Sequence, residues 1–452
     1  LKTPWTGQIV DSSYFRKPEY AKFRQPGNIK IPFWLQPVKY YKGAAWYQKE
    51  VVIPKDWNGH FIGLFLERCH WESRLWVDDK EVGMQNSLGT PHRYNLTGFL
   101  SPGRHRISLC IDNRVKDIDP GINSHSISDH TQSNWNGVVG QMVLEARPLA
   151  HIQNIQVFPD IHTKSILVKV KVQNLSEKNG TARLMLKIKE TGKHEEGKFE
   201  LKSGENILTL GLEMGSDCKL WSEFHPELYS LEVKLKDNDS DQTDRRATTF
   251  GMREFKANGN RLTINGQQTF LRGTLECAIF PKTGYPPTDV KEWLRIFKIA
   301  RAHGLNHFRF HSWCPPEAAF EAADQTGFYL HVECSSWANT TTTLGDGKPF
   351  DHYLYDESQR MVDEYGNHPS FCMMVYGNEP AGKNQGAFLT SFVNFWKNKD
   401  SRRIYTSGVG WPNLPVNDYL SDPGPRIQGW GQQLRSVING QPPRTDYDWY
   451  AY

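Results

Sequence analysis

The amino-acid sequence predicts a multidomain protein of the β plus α/β class, with two β-sandwiches followed by a parallel sheet or barrel. Two observations support this fold class. Up to about residue 250, short strands of alternating hydrophobicity are separated by frequent turns, which is typical of sandwiches. After Phe250, strands and helices alternate at the spacing of repeated βαβ units. The 452 residues are enough for several such domains.

Composition narrows the classes of partner. The net charge is +4 on 54 basic and 50 acidic residues, and this near balance argues against nucleic acid. The sequence contains no apolar run of the roughly 18 residues that a membrane span requires. Aromatic residues make up 12% of the chain, with 15 Trp and 18 Tyr, which suits either sugar stacking or sandwich cores. The seven Cys include no CxxC pair, so neither a disulfide framework nor a zinc site follows.

Residues 1–150 are predicted to form the first sandwich. In the strand Arg104–Asn113, alternate residues Ile107, Leu109 and Ile111 face one way. The other predicted strands are Ala44–Ile53, His60–Leu66 and Ser73–Val77. The segment Asp117–Gly137 is a long polar loop, a kind of segment that is often functional, and we expect it to reach toward a neighbouring domain.

Residues 151–253 are predicted to form a second, smaller sandwich. Alternating apolar residues mark its strands: Ile166, Val168, Val170 and Val172, then Leu184, Leu186 and Ile188. The strand Leu228–Leu235 runs into the acidic segment Asp237–Asp241, which has the DxDxD start of a calcium loop. That pattern requires Gly at its sixth position and Glu at its twelfth, where this chain has Gln242 and Thr248. We therefore interpret the segment as a hairpin turn.

Residues 254–452 are predicted to form the βαβ domain. Its first helix has Asp289 as N-cap and Gly304 at its end. The predicted strands are Thr269–Gly273, Leu305–Phe310, Phe328–Glu333, Phe371–Tyr376, Arg403–Ser407 and Arg426–Trp430. The later predicted helices are Pro316–Gln325, Asp356–Tyr365 and Gln385–Lys399. Six strands are fewer than the eight that close a barrel.

Polar and aromatic residues recur where these strands end. They are Arg272 and Glu276, Arg309, His311 and Trp313, Glu333 and Trp337, Asn378 and Glu379, Trp411, and Trp430. Taken singly, each has an ordinary explanation, such as an ion pair, a core histidine or a helix cap. Catalytic groups of β/α barrels lie at the carboxyl ends of the strands, and core packing does not produce such a series. We therefore predict a site for a carbohydrate or a similar polar ligand.

Several motifs resemble those of glycoside hydrolase family 2, which includes β-galactosidases, β-glucuronidases and β-mannosidases. The motifs are Trp135–Gly140, Trp221 with His225–Tyr229, Phe250–Arg253, Leu262–Gly273, Gly304–His311, and Asn367–Ser370 running into Gly377-Asn378-Glu379. The resemblance extends through the whole chain. It implies a jelly-roll sandwich at 1–150, an immunoglobulin-like sandwich at 151–253 and a TIM barrel at 254–452 that stops before its seventh strand.

The resemblance also implies a retaining, exo-acting glycosidase. In such enzymes two carboxyl groups about 5 Å apart flank the scissile bond, one as acid/base and one as nucleophile. Glu379 matches the acid/base, and Asn378 matches the residue that holds the sugar 2-OH. Arg309, His311 and Glu333 match positions of sugar-binding or supporting residues. Trp337, Trp411 and Trp430 are candidate stacking platforms, with Trp430 favoured by its position.

The nucleophile has no match in the chain. The family places a Glu at the end of the seventh strand, and no Glu follows Glu379 here. Asp446 and Asp448 are carboxylates late in the chain, but they lie in a loop-like segment. Glu333 is an unfavourable substitute for the nucleophile, since it lies one strand away from Glu379 on the other side. We expect a truncated chain, with the nucleophile beyond Tyr452. No cofactor or metal site is predicted.

The resemblance points to a β-galactosidase-like enzyme acting on a terminal sugar of oligo- or polysaccharides. An α-L-arabinopyranosidase, a β-glucuronidase, a β-mannosidase and a non-catalytic glycan-binding protein are the alternatives. In a third class of function, the two sandwiches recruit polysaccharide and the barrel domain supports them. The chain begins at Leu1 without Met, from which we expect a processed, periplasmic or secreted protein. Oligomer formation is left open.

Overall fold

A computed structural model of the protein describes residues 18 and 21 and the ranges 41–127, 135–280 and 283–421. The predicted strand Arg426–Trp430 and the carboxylates Asp446 and Asp448 lie outside these ranges. Within them, no helix combines the length and the apolar character needed to cross a bilayer.

The first sandwich consists of two antiparallel sheets. Its strands are β1 (Ala44–Ile53), β2 (Phe61–Cys69), β3 (Trp71–Val77), β4 (Lys80–Ser87), β5 (His92–Asn95), β6 (Gly103–Asp112) and β7 (Val138–Arg147). One sheet has the order β1-β6-β3-β4 and the other β5-β2-β7. Leu109 and Ile111 are buried between them and Ile107 packs against this core, as the alternation in the sequence predicts.

The second sandwich follows directly. Its strands are β8 (Ala150–Asp160), β9 (Ser165–Asn174), β10 (Gly180–Ile188), β11 (His194–Leu201), β12 (Gly204–Glu213), β13 (Tyr229–Asp237) and β14 (Thr243–Phe250). The sheets have the orders β11-β10-β13-β14 and β12-β9-β8. Strands β13 and β14 pair in antiparallel fashion around the acidic segment, which confirms the predicted hairpin turn.

Strands and helices then alternate around a parallel sheet. A small antiparallel sheet comes first, formed by β15 (Phe255–Asn258), β16 (Arg261–Ile264) and β17 (Gln267–Thr269). The succeeding elements are β18 (Gly273–Glu276), α1 (Val290–Ala302), β19 (His307–Phe310), α2 (Glu317–Thr326), β20 (Tyr329–Glu333), α3 (Pro349–Tyr365), β21 (Phe371–Val375), α4 (Gln385–Lys399) and β22 (Ile404–Thr406). The described parallel strands lie in the order β18-β19-β20-β21-β22.

Two predicted boundaries in this domain were wrong. The first parallel strand was expected at Thr269–Gly273, but Thr269 pairs with β16 in the small sheet, and β18 begins only at Gly273. Arg272 therefore precedes the strand instead of ending it. The third helix begins at Pro349, seven residues before the predicted Asp356, because proline is well tolerated in the first helical turn.

Four of the five described parallel strands are covered on both faces. Every residue of β19, β20, β21 and β22 is buried, including the polar His307, Arg309 and His331, whereas β18 is largely exposed. One face packs on the helices through residues such as Phe310 and Met374, and Trp71 and Leu88 of the first sandwich join this cluster. Packing from both sides fixes the strand ends in place.

Two buried charged residues tie the sandwiches to the barrel domain. Arg253, at the exit of the second sandwich, donates hydrogen bonds to the carbonyl oxygens of Pro369 and Phe371, each at 2.9 Å, where β21 begins. Glu357 of α3 is fully buried and accepts hydrogen bonds from the hydroxyl of Ser87 at 2.9 Å and the backbone N–H of Gly89 at 2.7 Å. Both sandwiches are thereby held in fixed positions against the strands that carry the site.

We predict that Glu357→Ala lowers the free energy of unfolding by about 3 kcal/mol, since it leaves buried donors of the first sandwich without an acceptor. Urea denaturation of the variant and the wild type measures this difference. Asp356→Ala removes an exposed carboxylate from the same helix and is expected to change the free energy by less than about 0.5 kcal/mol. Equal effects of the two substitutions would contradict the role of Glu357 in holding the first sandwich against α3.

Candidate active site

The guanidinium of Arg309 joins the ends of three neighbouring strands. Its Nε donates to Oε1 of Glu333 at 2.6 Å, and an Nη donates to Oδ1 of Asn378 at 2.7 Å. Arg309 is 8% exposed and Glu333 is fully buried, so the pair is shielded from water. The backbone N–H of Ser312 donates to the second oxygen of Glu333 at 2.6 Å. Both oxygens of this carboxylate are therefore occupied by the protein.

The contact with Arg309 fixes which way the Asn378 amide faces. Because a guanidinium only donates hydrogen bonds, the atom facing it must be the amide oxygen. The amide nitrogen of Asn378 then points away from Arg309 as a donor. Asn378 is 3% exposed, so this amide has a fixed orientation beside Glu379.

Two N–H donors converge on one oxygen of the Glu379 carboxylate. The indole Nε1 of Trp337 lies 2.8 Å and the side-chain amide nitrogen of Asn339 lies 3.1 Å from Oε2. A carboxyl oxygen that accepts two N–H bonds is a poor place for a proton, so protonated Glu379 carries its hydrogen on Oε1. Glu379 is partly exposed, unlike Glu333, and can contact a bound molecule.

The backbone at Glu379 is held in a left-handed conformation. Its φ is +33°, a region that non-glycine residues rarely adopt. Hydrogen bonds on both sides maintain it, from Glu379 N to Val409 O and from Asn339 N to Glu379 O, each 3.0 Å long. Ser312 and Ala278, which follow β19 and β18, also have positive φ, of +53° and +55°. Such strain is concentrated at functional sites of proteins.

His311 lies in an aromatic cluster at the same end of the sheet. Its ring stacks on His125, with centroids 4.3 Å apart, and meets Trp337 edge-on at 4.6 Å. His125 belongs to the long polar loop of the first sandwich, and its backbone N–H donates to Oγ of Ser312 at 2.7 Å. The loop therefore reaches the neighbouring domain, as the sequence predicts.

Burial dominates the titration of these groups. It raises the pKa of Glu333 above its usual range, although Arg309 acts in the opposite direction. Burial, with the positive charge of Arg309, lowers the pKa of His125 to about 3 and holds the pKa of His311 well below its usual value. Both imidazoles are neutral at physiological pH, so His311 offers neutral hydrogen-bonding nitrogens.

The structure brings together six of the eight predicted substrate-site and catalytic residues. Arg309, His311, Glu333, Trp337, Asn378 and Glu379 form one connected cluster. Trp411 is 39% exposed and donates its indole N–H to Pro380 O at 2.7 Å, next to Glu379. Trp430 lies outside the described residues.

Sequence reasoning missed three residues of the site. His125, Ser312 and Asn339 touch His311, Glu333 and Glu379, respectively. The position of Ser312 directly after a strand could have identified it. Asn339 has no comparable signal in the sequence, and His125 comes from another domain. Within the described ranges, no group of three His, Cys, Asp or Glu side chains could hold a metal ion.

Family models identify the chain. The model described as the glycosyl hydrolases family 2 sugar binding domain matches residues 5–148, the one described as glycosyl hydrolases family 2 matches 150–253, and the family's TIM barrel domain matches 255–421. The chain belongs to glycosyl hydrolase family 2. The predicted fold class, a jelly-roll sandwich, an immunoglobulin-like sandwich and part of a TIM barrel, is thereby confirmed.

Similar proteins in this family include both β-glucuronidases and β-galactosidases. The chain is 24% identical over 400 residues to a β-glucuronidase of Paenibacillus borealis, covering 82% of this chain and 64% of that protein. It is 22% identical to the β-galactosidase large subunit of Latilactobacillus sakei, covering 97% and 68%. The chain thus spans about two thirds of these relatives, and only 35% of a β-galactosidase of Oenococcus oeni.

Solved family 2 structures share the fold. A Bacteroides uniformis β-glucuronidase superposes with a TM-score of 0.69 at 20% identity, over 81% of this chain and 46% of that chain. A β-galacturonidase from Eisenbergiella tayi bound to galacturonate gives a TM-score of 0.68 at 19% identity, over 81% and 64%. At these identities the likeness concerns the fold alone.

We predict a pH-dependent effect of Glu276→Gln at the end of β18. Burial raises the pKa of Glu276 to about 7, although the N–H groups of Ala278 and Ile279 favour its charged form. Because the folded pKa exceeds the unfolded one, the wild type loses stability as the pH rises from about 4.5 through 7. The variant lacks this loss. The difference in free energy of unfolding between the variant and the wild type should therefore change by about 2 kcal/mol in favour of the variant between pH 5 and pH 8.

Chemical denaturation at several pH values measures this gain. Glu232→Gln, which replaces an exposed carboxylate of β13, is the matched control and should stay parallel to the wild type. A constant difference between Glu276→Gln and the wild type over the whole pH range would refute the raised pKa of the Glu276 carboxyl group.

Proposed function

We propose that this chain provides the acid/base half of the active site of a retaining, exo-acting glycosidase, with Glu379 as the general acid/base. The placement of Glu379 carries the proposal. One oxygen is held by the N–H groups of Trp337 and Asn339. The other accepts no hydrogen bond from the described residues and is left to exchange a proton with a bound molecule. In the first step Oε1 gives its proton to the leaving-group oxygen. In the second it removes a proton from the attacking water.

Asn378 supports the same assignment. Because Arg309 binds the amide oxygen of Asn378, the amide nitrogen faces away from Arg309. This nitrogen is a hydrogen-bond donor with a fixed position beside Glu379. In the proposed complex it donates to the hydroxyl of the terminal sugar next to the anomeric carbon. Hydrogen bonds to this hydroxyl strengthen at the transition state of glycoside hydrolysis and thereby lower the barrier to reaction.

Glu333 is a supporting residue in this proposal and not the nucleophile. Its two oxygens already bind Arg309 and the backbone N–H of Ser312, and its side chain is fully buried. A nucleophile must present a free oxygen to the anomeric carbon on the face opposite the leaving group. We therefore place the nucleophile outside the described residues, consistent with the extra length of the relatives.

The substrate proposed is a terminal β-galactoside-like sugar. The charge of Arg309, the cation beside Asn378, is already balanced by Glu333, which favours a neutral sugar over one with a carboxylate. A uronic acid is the second candidate, because a β-glucuronidase and a galacturonate-bound β-galacturonidase are among the similar proteins. α-L-Arabinopyranosides share the ring configuration of β-galactosides and are included with the first candidate, and β-mannosides remain to be tested.

We predict that Glu379→Gln separates substrates by their leaving groups. Kinetics of the full-length protein should show kcat/KM falling about 1,000-fold for a methyl glycoside, whose leaving group needs a proton. The value for a 2,4-dinitrophenyl glycoside should fall far less, because that leaving group departs as a stable anion. The exposed carboxylate variant Glu195→Gln serves as control and should match the wild type. Undiminished turnover of the methyl glycoside by Glu379→Gln would disprove the assignment.

We also predict the order of activity on a panel of 4-nitrophenyl glycosides. The β-galactoside or the α-L-arabinopyranoside should be hydrolysed faster than the β-glucuronide, the β-galacturonide and the β-mannoside. NMR of early products should show the sugar released with its anomeric configuration retained. Faster hydrolysis of the β-glucuronide or the β-galacturonide would favour a uronic acid as the substrate. A product with inverted anomeric configuration would exclude the retaining mechanism. Binding of sugars without hydrolysis of any glycoside would favour a non-catalytic glycan-binding protein.

A further inference from the structure

We infer that the loop Asp119–Ser126 of the first sandwich, here called the sandwich loop, is a positioning element for the acid/base. It holds Trp337, and Trp337 in turn holds the Glu379 carboxylate. The inference rests on the proposed function of Glu379 and adds to it a domain that lies outside the barrel. Hydrogen bonds at two places along the loop and a close backbone contact at a third support it.

The first place is the short turn that carries Trp337. The carbonyl oxygen of Pro120 accepts the backbone N–H of Trp337 at 2.8 Å. The hydroxyl of Thr341 accepts the N–H of Ile122 and donates to the carboxylate of Asp119, each at 3.0 Å. The sandwich loop therefore binds this turn at Trp337, its first residue, and again at Thr341, four residues later.

The second place is a glycine between these contacts. Gly121 has a φ of +92°, and a Cβ atom added to it would lie 1.9 Å from the carbonyl oxygen of Trp337. Both the backbone conformation and the close approach require glycine here. The two backbones are packed against each other with no room for a side chain, so movement of the loop is transmitted to Trp337.

The third place is Ser312, at the end of the second parallel strand. The hydroxyls of Ser124 and Ser126 donate to its carbonyl oxygen at 3.1 and 2.6 Å. The N–H of His125 donates to its hydroxyl at 2.7 Å, and the His125 ring stacks on His311. The sandwich loop thus bridges two strand ends and is fixed at both.

Contacts beyond Trp337 complete the connection. The Trp337 indole donates to Oε2 of Glu379 at 2.8 Å. Asn339, in the same turn, donates its backbone N–H to Glu379 O and its side-chain amide to Oε2. A shift of the turn therefore reorients the carboxylate and moves Oε1, the oxygen that carries the transferable proton. Proton transfer depends steeply on such alignment.

Leaving-group dependence in the full-length enzyme tests the inference. Trp337→Phe removes the indole N–H, and Thr341→Val removes the hydroxyl that the loop grips. Each should lower kcat/KM for the methyl glycoside by about tenfold and that for the 2,4-dinitrophenyl glycoside by less than about twofold. Thr343→Val is the matched control, since the Thr343 hydroxyl binds Asp346 instead of the loop, and it should leave both values unchanged.

Gly121→Ala is a further variant within the loop itself. Its thermal unfolding is measured alongside the kinetics, and it should show the same selective loss on the methyl glycoside. Equal losses on both substrates, or no loss with Trp337→Phe and Thr341→Val, would overturn the inference. Failure of the proposed function itself gives a different result, because Glu379→Gln would then show no selective loss.

Discussion

A buried guanidinium organises the site. Arg309 cannot lose its charge, so in this water-poor position it must be paired and hydrogen-bonded throughout. Its planar fork meets Glu333 on one side and Asn378 on the other, which fixes three strand ends relative to one another. Lysine could supply the charge but not two directed donors at a fixed angle. The orientation of the amide beside Glu379 follows from this one pairing.

The site also depends on contacts from outside the barrel domain. Arg253 fixes the start of β21, the strand that leads to Asn378, and Glu357 fixes the first sandwich against the third helix. With both sandwiches anchored, a loop of the first one can pack backbone to backbone against the turn of Trp337. Strained conformations such as that of Glu379 persist only where surrounding contacts over-determine them, and here the backbone hydrogen bonds with Val409 and Asn339 supply such contacts.

Local patterns located the regular elements with good accuracy. The fourth helix lies at Gln385–Lys399, as predicted. The first parallel strand was misplaced by four residues. Thr269 has strand propensity but uses it in a hairpin with β16, and propensity alone cannot say which sheet a strand joins. The predicted site cluster was found at strand ends because barrel geometry collects these ends on one face.

The sequence by itself determined the order of the domains, the ends of the second to fifth parallel strands to within one residue, and the side-by-side placement of Asn378 and Glu379, since these depend on neighbours along the chain. Only the tertiary structure decided what surrounds the carboxylate. The donors on Glu379 come from residues about 40 positions earlier, and His125 contacts His311, which lies 186 positions later in the chain. Such contacts arise from packing between domains, and no periodicity or local propensity encodes them.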